Sequence, residues 1–493
     1  MTDKKKTVEA SLRNVLFLFM MKVFESLHGG AALMPNWHLK SLCYYLEECA
    51  RGDTTRFVVC MPPRSLKSVC ASVALPLWIL GHNPAAKIIC VSYSDDLART
   101  FAKQRRAIIA SAWFHMLFPN LQFLTITEGE VITTKGGGIY TTSIGGTLTG
   151  RGADYLIIDD PIKGAGAMSE AERNQVIDWY QNTAYSRLDN KEKGVIIIVS
   201  QRVHTDDLVG RVLDDDWGEL VIRAIATEDE WFWTGPKTGY NRKEGEPLHA
   251  AWESLESLCK TKDIIGTYNF EAQYQQNPVP LVGNLFDPAW LVEYETAPPL
   301  NEFDLVVQSW DFAQGTSAAN DYSVCTVWGV KGIRYYLLHV FRRRLPFPQL
   351  LEAVKAMASE FMPHRVLVEE AGIGLSVVQS LKNTGLPFKG YRPQIDKEAR
   401  AVQTTALLEQ GRVLVPKKAE WLQDFIAEYV AFPNGKFDDQ IDSLVQFLIS
   451  VGFNGRPDIQ LRVTSIGPGG SVVRHRDRYF ERTGMSVFGG LSE

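Results

Sequence analysis

Three groups of carboxylates in the second half of the chain lie at the ends or starts of apolar segments. Asp311 ends the apolar run 304–311, and Glu369 follows the β-branched run 366–368. The third group opens the apolar helical pattern 441–451 and comprises Asp438, Asp439 and Asp442. Carboxylates brought together by two strand ends and a helix start repel one another unless a cation lies among them, and such hard oxygen ligands favour Mg²⁺ or Mn²⁺. Two such ions activate water and stabilise the leaving oxygen in phosphodiester cleavage, so the pattern indicates a metal-dependent nuclease.

The last group offers more than one ligand. Asp439 and Asp442 are three residues apart and share a face in the first turn of the predicted helix, which favours both as metal ligands. Asp439 is our first choice, because Asp438 is better placed to cap the helix. Taken singly, each acid is better explained as a cap or a solvated strand end. Only the three segments together favour a metal site.

A second candidate site lies in the first half of the chain, where the short strand 57–60 leads into a loop and a helix. In the phosphate-binding pattern G-x-x-x-x-G-K-[ST], Lys67 and Ser68 match, while Met61 and Leu66 occupy the glycine positions. Amides at the start of the helix and Lys67 would hold nucleotide phosphates, and the Ser68 hydroxyl would bind Mg²⁺. The alternative is an ordinary strand-to-helix turn with a solvated lysine.

A later apolar run, 155–158, ends in Asp159 and Asp160. This arrangement is typical of a Walker B strand, in which Asp159 would polarise a Mg²⁺-bound water and Asp160 would act as general base. The alternative is a buried strand whose terminal acids cap the next turn.

An aromatic residue and a histidine, Trp37 and His38, stand just before the helical pattern 39–49, ahead of the phosphate loop. This position would allow them to pack against an adenine ring. A hydrophobic staple at the start of that helix explains them equally well. Both interpretations stay open at the level of sequence.

Length and composition limit the function further. A chain of 493 residues exceeds one core, so two or three domains are expected. The net charge of −5 excludes a general positive field, so DNA binding would depend on local patches such as 342–344 or 103–106. Seven cysteines without CxxC spacing are typical of reduced thiols in a cytosolic protein. The apolar run 15–21 is too short to span a bilayer, so we expect no membrane association.

Strands that alternate with helices predict a three-layer parallel α/β domain in the first half. Its strands are 57–60, 88–92, 155–159 and 195–199. The predicted organisation is an N-terminal helical segment (1–50), an α/β nucleotide-binding domain (51–280), a Pro-rich connector (281–300), a second α/β domain (301–451) and a flexible tail (452–493).

Several motifs follow one another in a fixed order along residues 35–450. They are PPRSLKS (62–68), LTGRGAD (148–154), LIIDD (156–160), QRVHTDDLVG (201–210), YQQNP (274–278) and the three acid segments. As an ordered set they resemble the large terminase subunits of tailed double-stranded DNA bacteriophages. The resemblance implies an N-terminal ATPase domain of P-loop type and a C-terminal nuclease domain of ribonuclease-H type.

The resemblance also implies roles for individual residues. The nucleotide-binding residues would be Arg64, Ser65, Lys67 and Ser68, with Asp159 and Asp160 as Walker B and catalytic acids. The nuclease ligands would be Asp311, Glu369 and an acid of the third group. Two residues depart from the family pattern, Leu66 at the second loop glycine and Asp160 in place of glutamate. Both departures bear on the efficiency of ATP hydrolysis more than on the fold.

The expected function is therefore an ATP-driven DNA-packaging motor that also cuts concatemeric DNA. Its cofactors would be ATP and Mg²⁺, with Mn²⁺ able to substitute at the nuclease site. Its partners would be double-stranded DNA, the portal protein of the procapsid, the small terminase subunit and further copies of the chain in a ring. It would act in the cytoplasm of the infected bacterial host and be absent from the mature virion.

Two alternatives come from other classes of protein. A host helicase–nuclease of DNA repair would need helicase arginine motifs in a second ATPase-like domain, which the sequence does not display. A DNA clamp that binds ATP without hydrolysing it would be favoured by Met61 and Leu66 at the glycine positions of the loop.

Overall fold

Alternating strands and helices in the first half of the chain build one large sheet. The structure is a computed structural model and describes residues 2–148, 150–164, 166–213, 215–278, 285–312, 322–393 and 395–452. The predicted tail, 452–493, lies outside these residues except for Gly452. No helix in the described ranges combines the length and apolar character needed to cross a membrane.

Three helices precede the first strand: α1 (Thr2–Asn14), α2 (Leu16–Leu27) and α3 (Trp37–Arg51). The strands of the first sheet are β1 (Arg56–Cys60), β2 (Lys87–Ser92), β3 (Phe123–Ile126), β4 (Glu130–Thr133), β5 (Gly138–Ser143), β6 (Tyr155–Asp159), β7 (Val195–Ser200) and β8 (Gly218–Val221). The helices between and after them are α4 (Leu75–His82), α5 (Asp95–Ile109), α6 (Ala112–Leu117), α7 (Glu170–Trp179), α8 (Leu208–Val212), α9 (Leu255–Ile265) and α10 (Thr267–Gln273). A separate hairpin consists of β9 (Glu230–Gly235) and β10 (Thr238–Arg242).

The order of the first sheet is β3-β4-β5-β2-β6-β7-β1-β8, and the run from β5 to β8 is parallel throughout. Strand β7 reads VIIIVS and is buried along its whole length, as expected for a strand covered on both faces. One hydrophobic core lies on each face of this sheet, and α2 and α3 pack into the first of them. The predicted parallel three-layer architecture is confirmed. Its strands deliver their carboxyl ends to one edge, where ligands bind in such folds.

The second sheet contains β11 (Val292–Tyr294), β12 (Leu305–Asp311), β13 (Ser323–Lys331), β14 (Arg334–Arg343), β15 (Arg365–Glu369), β16 (Phe388–Tyr391) and β17 (Val413–Pro416). Its helices are α11 (Phe347–Phe361), α12 (Gly372–Ser380), α13 (Lys397–Glu409), α14 (Leu422–Ala431) and α15 (Asp439–Gly452). The strand order is β11-β17-β14-β13-β12-β15-β16. Strands β12, β13 and β14 form an antiparallel meander, and β15 continues in parallel from β12.

The predicted connector, 281–300, contributes to this second sheet. Strand β11 lies within it and pairs in parallel with β17. Phe286 is fully buried in the core beneath the sheet, where its ring stacks on Tyr429 at 5.0 Å between centroids. The described part of the connector therefore packs with the second sheet, because its apolar side chains are buried there.

The last turn of helix α13 contacts the helices that follow the first sheet. The backbone N–H of Thr267, at the start of α10, donates to Glu409 Oε2 at 2.9 Å. The Gln410 side-chain amide donates to the carbonyl of Asp263 in α9 at 2.5 Å. These contacts place α9 and α10 directly against the second domain.

Helix α15 packs on the meander through aromatic stacking. The rings of Trp328 and Phe447 are stacked with nearly parallel planes, 4.5 Å apart between centroids, and both are fully buried. We expect Phe447→Ala to lower the free energy of unfolding by about 3–5 kcal/mol, because it leaves a cavity under the sheet. Urea unfolding followed by tryptophan fluorescence measures this. The matched control is Phe347→Ala, since Phe347 is partly exposed. An equal loss in both variants would contradict the stacking argument.

Candidate active sites

The loop after β1 has a strained backbone. Arg64 and Leu66 have φ angles of 62° and 63°, in the left-handed region that glycine normally occupies. Leu66 stands where the phosphate-loop pattern has its second glycine, and this conformation costs a side-chain-bearing residue about 1–2 kcal/mol. Strain of this kind concentrates at functional sites, where the surrounding fold maintains it. Leu66 therefore adopts a backbone conformation typical of glycine although it carries a side chain.

The carboxyl edge of the sheet brings Ser68 and Asp159 together. The Ser68 hydroxyl donates to Asp159 Oδ1 at 3.0 Å, and the Ser72 hydroxyl donates to Oδ2 at 2.6 Å. Burial raises the pKa of Asp159 to about 7, with the charge of Asp160 acting in the same direction while the two hydroxyls and Lys67 oppose the shift. A serine and a buried carboxylate in contact at a helix start match the donor set of a nucleotide-bound Mg²⁺.

The neighbouring acid, Asp160, faces the lysine of the loop. Lys67 Nζ lies 3.8 Å from Asp160 Oδ1, and both side chains are largely buried. Asp160 itself has a φ of 45°, and its carboxylate also accepts from the backbone N–H of Gln201 at 3.3 Å. Asp160 is thus attached to the end of β7 as well as to the phosphate loop.

Three further motif residues, Arg202, Asp207 and Gln276, extend this contact. The backbone N–H of Arg202 donates to Gln276 Oε1 at 3.0 Å, and its guanidinium Nε donates to both oxygens of Asp207 at 3.1 Å. Asp207 in turn caps α8 by accepting from the Gly210 N–H at 2.8 Å. The segment next to Asp160 is therefore held in place by α8 and by the end of α10.

Arg105 supports the helical segment Val69–Ala74, which follows Ser68 and contains Ser72, from behind. Its guanidinium donates to the carbonyl of Ser72 and to the Thr141 hydroxyl, and the side chain is almost fully buried. Burial lowers the pKa of this arginine. The residue anchors the segment that carries Ser68 and Ser72.

A cavity of about 250 Å³ opens beside the phosphate loop. Its lining includes Leu33, Met34, His38, Arg64, Leu248 and Trp252. The His38 ring is 2.9 Å from the Asn36 side-chain amide, within hydrogen-bonding distance, and burial lowers the pKa of His38 to about 3. His38 is therefore neutral near pH 7 and belongs to the wall of a mostly apolar cavity.

Trp37 is placed differently from the prediction that paired it with His38. Its ring stacks on Phe232 and on Tyr240, each at 4.8 Å between centroids. The β9–β10 hairpin thus encloses Trp37, which is not among the described residues that line the cavity. Ser65 does line the cavity, but its hydroxyl donates to the Pro62 carbonyl of the loop at 2.8 Å. Trp37 therefore shapes the site from behind the cavity surface, and the Ser65 hydroxyl stabilises the loop itself.

The second candidate site forms where β12, β15 and α15 meet. Burial raises the pKa of Asp311 well above its usual range, and the charges of Asp442, Asp439 and Glu369 raise it further. Only Lys397 opposes them among the causes of this shift. The structure therefore brings the predicted acids of all three segments within electrostatic range of one another.

Lys397, at the start of α13, is a residue that sequence reasoning missed. Its ammonium forms ion pairs with Asp438 and, at 2.5 Å, with Asp442 Oδ2. Burial lowers the pKa of Lys397, but the two carboxylates outweigh this and raise it overall. Burial raises the pKa of Asp442 to about 6, although Lys397 opposes the shift.

These contacts allow a test of whether the acids suit a divalent cation. The donor set consists of hard carboxylate oxygens, and their mutual repulsion is only partly offset by the Lys397 ammonium and, at Asp442, by the charge of Arg400. No described group of three acidic, histidine or cysteine side chains is already closed around a metal-sized point. The acids fit a metal site chemically, and Lys397 takes up part of their charge in the metal-free chain.

A buried polar network fixes α15 on the sheet. The Ser443 hydroxyl donates to the Ser309 carbonyl at 2.7 Å and lies 2.6 Å from the Thr326 hydroxyl. The Gln446 amide donates to the Ser309 hydroxyl at 3.1 Å. Because Ser309 lies two residues before Asp311 on the same strand, this network sets the distance between Asp311 and the acids of α15.

The first turn of α15 has a second support from α14. Glu428 accepts from the backbone N–H of Gln440 at 2.6 Å and from its side-chain amide at 2.7 Å. Arg342 lies 3.4 Å from the same carboxylate. Burial raises the pKa of Glu428, although the Gln440 hydrogen bonds and Arg342 oppose the shift. No sequence signal marks Glu428, since its partners come from other elements.

Comparisons with known proteins bear on the fold that carries these candidate sites. Residues 308–450 match the family model described as the terminase RNaseH-like domain. The chain also has the fold of a large terminase subunit. Two crystal forms of the large terminase from a thermophilic bacteriophage superpose with TM-scores of 0.51 and 0.50, each at 11% sequence identity. The superpositions cover 84% and 85% of this chain and 98% and 99% of the phage chains. No curated protein matches the chain in sequence. The predicted terminase resemblance is confirmed at the level of the fold, with a ribonuclease-H-like second domain.

The hydrogen-bond network under α15 generates a stability prediction. Ser443→Ala leaves the buried Thr326 hydroxyl and Ser309 carbonyl without this partner, so we expect a loss of about 1–3 kcal/mol in the free energy of unfolding. The control is Ser450→Ala, because Ser450 lies on the same helix and donates only to the Phe447 carbonyl one turn away. Urea denaturation of both variants compares them. Equal midpoints would show that the network does not hold the helix.

Proposed function

We propose that this chain is the ATP-driven motor subunit that translocates phage DNA into a procapsid and cuts the concatemer with its second domain. The observation that best supports this proposal is that one chain contains two distinct acid clusters. Ser68, Asp159 and Asp160 converge at the carboxyl edge of a parallel sheet. Asp311 and the acids of α15 converge on a ribonuclease-H-like sheet.

In the first domain, the chain's own residues would bind and orient ATP. Lys67 and the amides that open its helix would hold the phosphates, and Arg64 would approach them from the cavity rim. Ser68 and Asp159 would hold Mg²⁺, which neutralises phosphate charge when bound. Asp160 would accept a proton from the attacking water. The cavity lined by His38 would receive the adenine ring, with the neutral imidazole as part of its wall.

In the second domain, Asp311, Glu369 and Asp439 would hold Mg²⁺ or Mn²⁺, with Asp442 as a further candidate ligand. Ions of this kind activate water and stabilise the leaving oxygen when bound. Lys397 would limit carboxylate repulsion while the chain is free of metal. Glu428 and Ser443 would keep the first turn of α15 facing Asp311.

The partners follow from this role. The motor would act on double-stranded DNA, as a homo-oligomeric ring on the portal protein, with the small terminase subunit delivering DNA. It would work in the cytoplasm of the infected bacterial host and be absent from the mature virion. A mixture of the protein with procapsids tests the motor directly, because ATP-dependent protection of DNA from added nuclease requires translocation.

One alternative function is still favoured by a specific observation. A DNA clamp that binds ATP without turnover is favoured by Leu66, whose side chain occupies a left-handed position in the loop. DNA-stimulated release of phosphate from ATP separates the motor from the clamp. The helicase–nuclease alternative is disfavoured, because the described second sheet is built on an antiparallel meander rather than a second parallel ATPase sheet.

The two activities should be separable by mutation. We expect Lys67→Ala to lower ATP turnover by about 10²-fold or more, because a preorganised cation on the phosphates is lost. Metal-dependent plasmid cleavage by the same full-length variant should stay close to that of the unaltered chain. The control is Lys237→Ala, which removes an exposed lysine. Loss of both activities in a folded Lys67→Ala protein would show that the sites do not work independently.

A substitution in the acid cluster of the second domain should instead impair DNA cleavage. Asp311→Asn should lower Mn²⁺-dependent plasmid cleavage by about 10²-fold or more, since metal ions contribute several kcal/mol to such reactions. The metal-free protein should be as stable or more stable, because carboxylate repulsion is relieved. Mn²⁺ should raise the melting temperature less in this variant than in the unaltered chain.

The control for this variant is Asp304→Asn, at the exposed start of the same segment, where the carboxylate accepts from the Gly332 N–H. Asp304→Asn should leave cleavage and the Mn²⁺ response unchanged. Normal cleavage by Asp311→Asn would refute the assignment.

A further inference from the structure

Basic and aromatic side chains gather beside the nuclease acids. The guanidinium carbons of Arg342 and Arg344 lie 4.1 and 4.3 Å from the centre of the Tyr322 ring. Lys436 Nζ lies 5.2 Å from the centre of the Phe437 ring, and the rings of Tyr322 and Phe437 meet edge to face at 5.6 Å. These five residues are called the aromatic–basic cluster below.

The sheet register places the cluster close to Asp311. Asp311 pairs with Val324 across β12 and β13, and Val324 pairs with Arg342 across β13 and β14. Directly paired residues point to the same face, and neighbouring strands are about 4.8 Å apart. Arg342 is therefore about 10 Å from Asp311 along one row of the sheet.

The chain brings the other half of the cluster to the same place. Lys436 and Phe437 immediately precede Asp438, in the segment that leads into α15. The Phe437 ring also lies under the Arg342 guanidinium at 5.0 Å. The cluster thus reaches the acids from the sheet and from the start of the helix at once.

Only one of the three positive charges in the cluster has a carboxylate partner among the described residues. Arg342 faces Glu428, yet its Nε and Nη2 atoms are buried without a hydrogen-bond partner. Arg344 and Lys436 are exposed and form no ion pair with any described carboxylate. Like charges kept together by aromatic rings repel one another until an anion binds between them.

The arginine run 342–344 is not simply a solvated charged segment, because its three side chains are divided between the two faces of the sheet. Arg342 and Arg344 share the Tyr322 ring, whereas Arg343 lies 5.6 Å from the centre of the Phe341 ring. Alternation along a strand puts Arg343 on the opposite face. Only part of the run therefore faces the nuclease acids.

We propose that the aromatic–basic cluster binds DNA backbone phosphates that neighbour the scissile phosphate. The contacts are made by Arg344 and Lys436. This inference rests on the proposed nuclease function. The cluster begins at Arg342, about 10 Å from Asp311 along the sheet, and at a rise of about 3.4 Å per nucleotide this span corresponds to about three nucleotides. Tyr322 and Phe437 orient the cations, and Arg342 is a positioning residue that links the cluster to Glu428 and α15.

The test measures how DNA affinity depends on salt. The full-length chain carries Asp311→Asn to prevent cleavage, and binding of a fluorescent DNA duplex is titrated between about 50 and 200 mM NaCl. Each lost phosphate contact should reduce the slope of log affinity against log salt by about 0.9. We expect this reduction for Arg344→Ala and for Lys436→Ala, and retention of the slope in Arg344→Lys.

The matched control is Arg343→Ala, which removes the same charge from the opposite face and should leave the slope unchanged. In chains that keep Asp311, Arg344→Ala should raise KM for plasmid DNA with little change in kcat. Unchanged slopes for both Arg344→Ala and Lys436→Ala, or an equal loss for Arg343→Ala, would overturn the proposal. Absence of Mn²⁺-dependent cleavage by the unaltered chain would instead refute the nuclease function, and the salt slopes would still report on the cluster.

Discussion

Repulsion between buried carboxylates is the constraint on which both candidate sites depend. Burial and a neighbouring acid raise the pKa of Asp159 to about 7, and burial with three nearby acids raises that of Asp311. Each cluster faces one lysine, Lys67 at 3.8 Å from Asp160 and Lys397 at 2.5 Å from Asp442. Lys67 offsets only part of the charge of the first cluster, and Lys397 together with Arg400 offsets only part of that of the second. Both sites are consequently built to gain free energy when a further cation binds.

Such clusters persist only if rigid supports hold the acids in place. In the first domain, the carboxylate of Asp159 is held by two hydroxyls from one helix, and Arg105 anchors that helix from behind. In the second domain, Ser443 and Glu428 hold α15 against the sheet. These supports are polar and buried, so each specifies one position of its helix: a shifted helix would leave buried groups unpaired.

Helix α13 lies between the two sites. Lys397 begins it and pairs with Asp442 of the second acid cluster, while Glu409 ends it and accepts from the first N–H of α10. Soon after α10 comes Gln276, which accepts from the backbone of Arg202, next to the residue that donates to Asp160. One continuous series of contacts therefore joins the two acid clusters.

The sequence by itself determined the features that depend only on residues close to one another along the chain. Buried β-branched runs indicate parallel strands, and a strand, loop and helix with Lys67 and Ser68 indicate a phosphate loop whatever the distant contacts are. The acids at strand ends follow from the same local logic. Only the tertiary structure decided that Lys397 and Glu428 pack at the second acid cluster and that Trp37 is enclosed by a hairpin. These outcomes depend on sheet register and on helices packed across long sequence separations, and a local pattern of residue types carries no information about either.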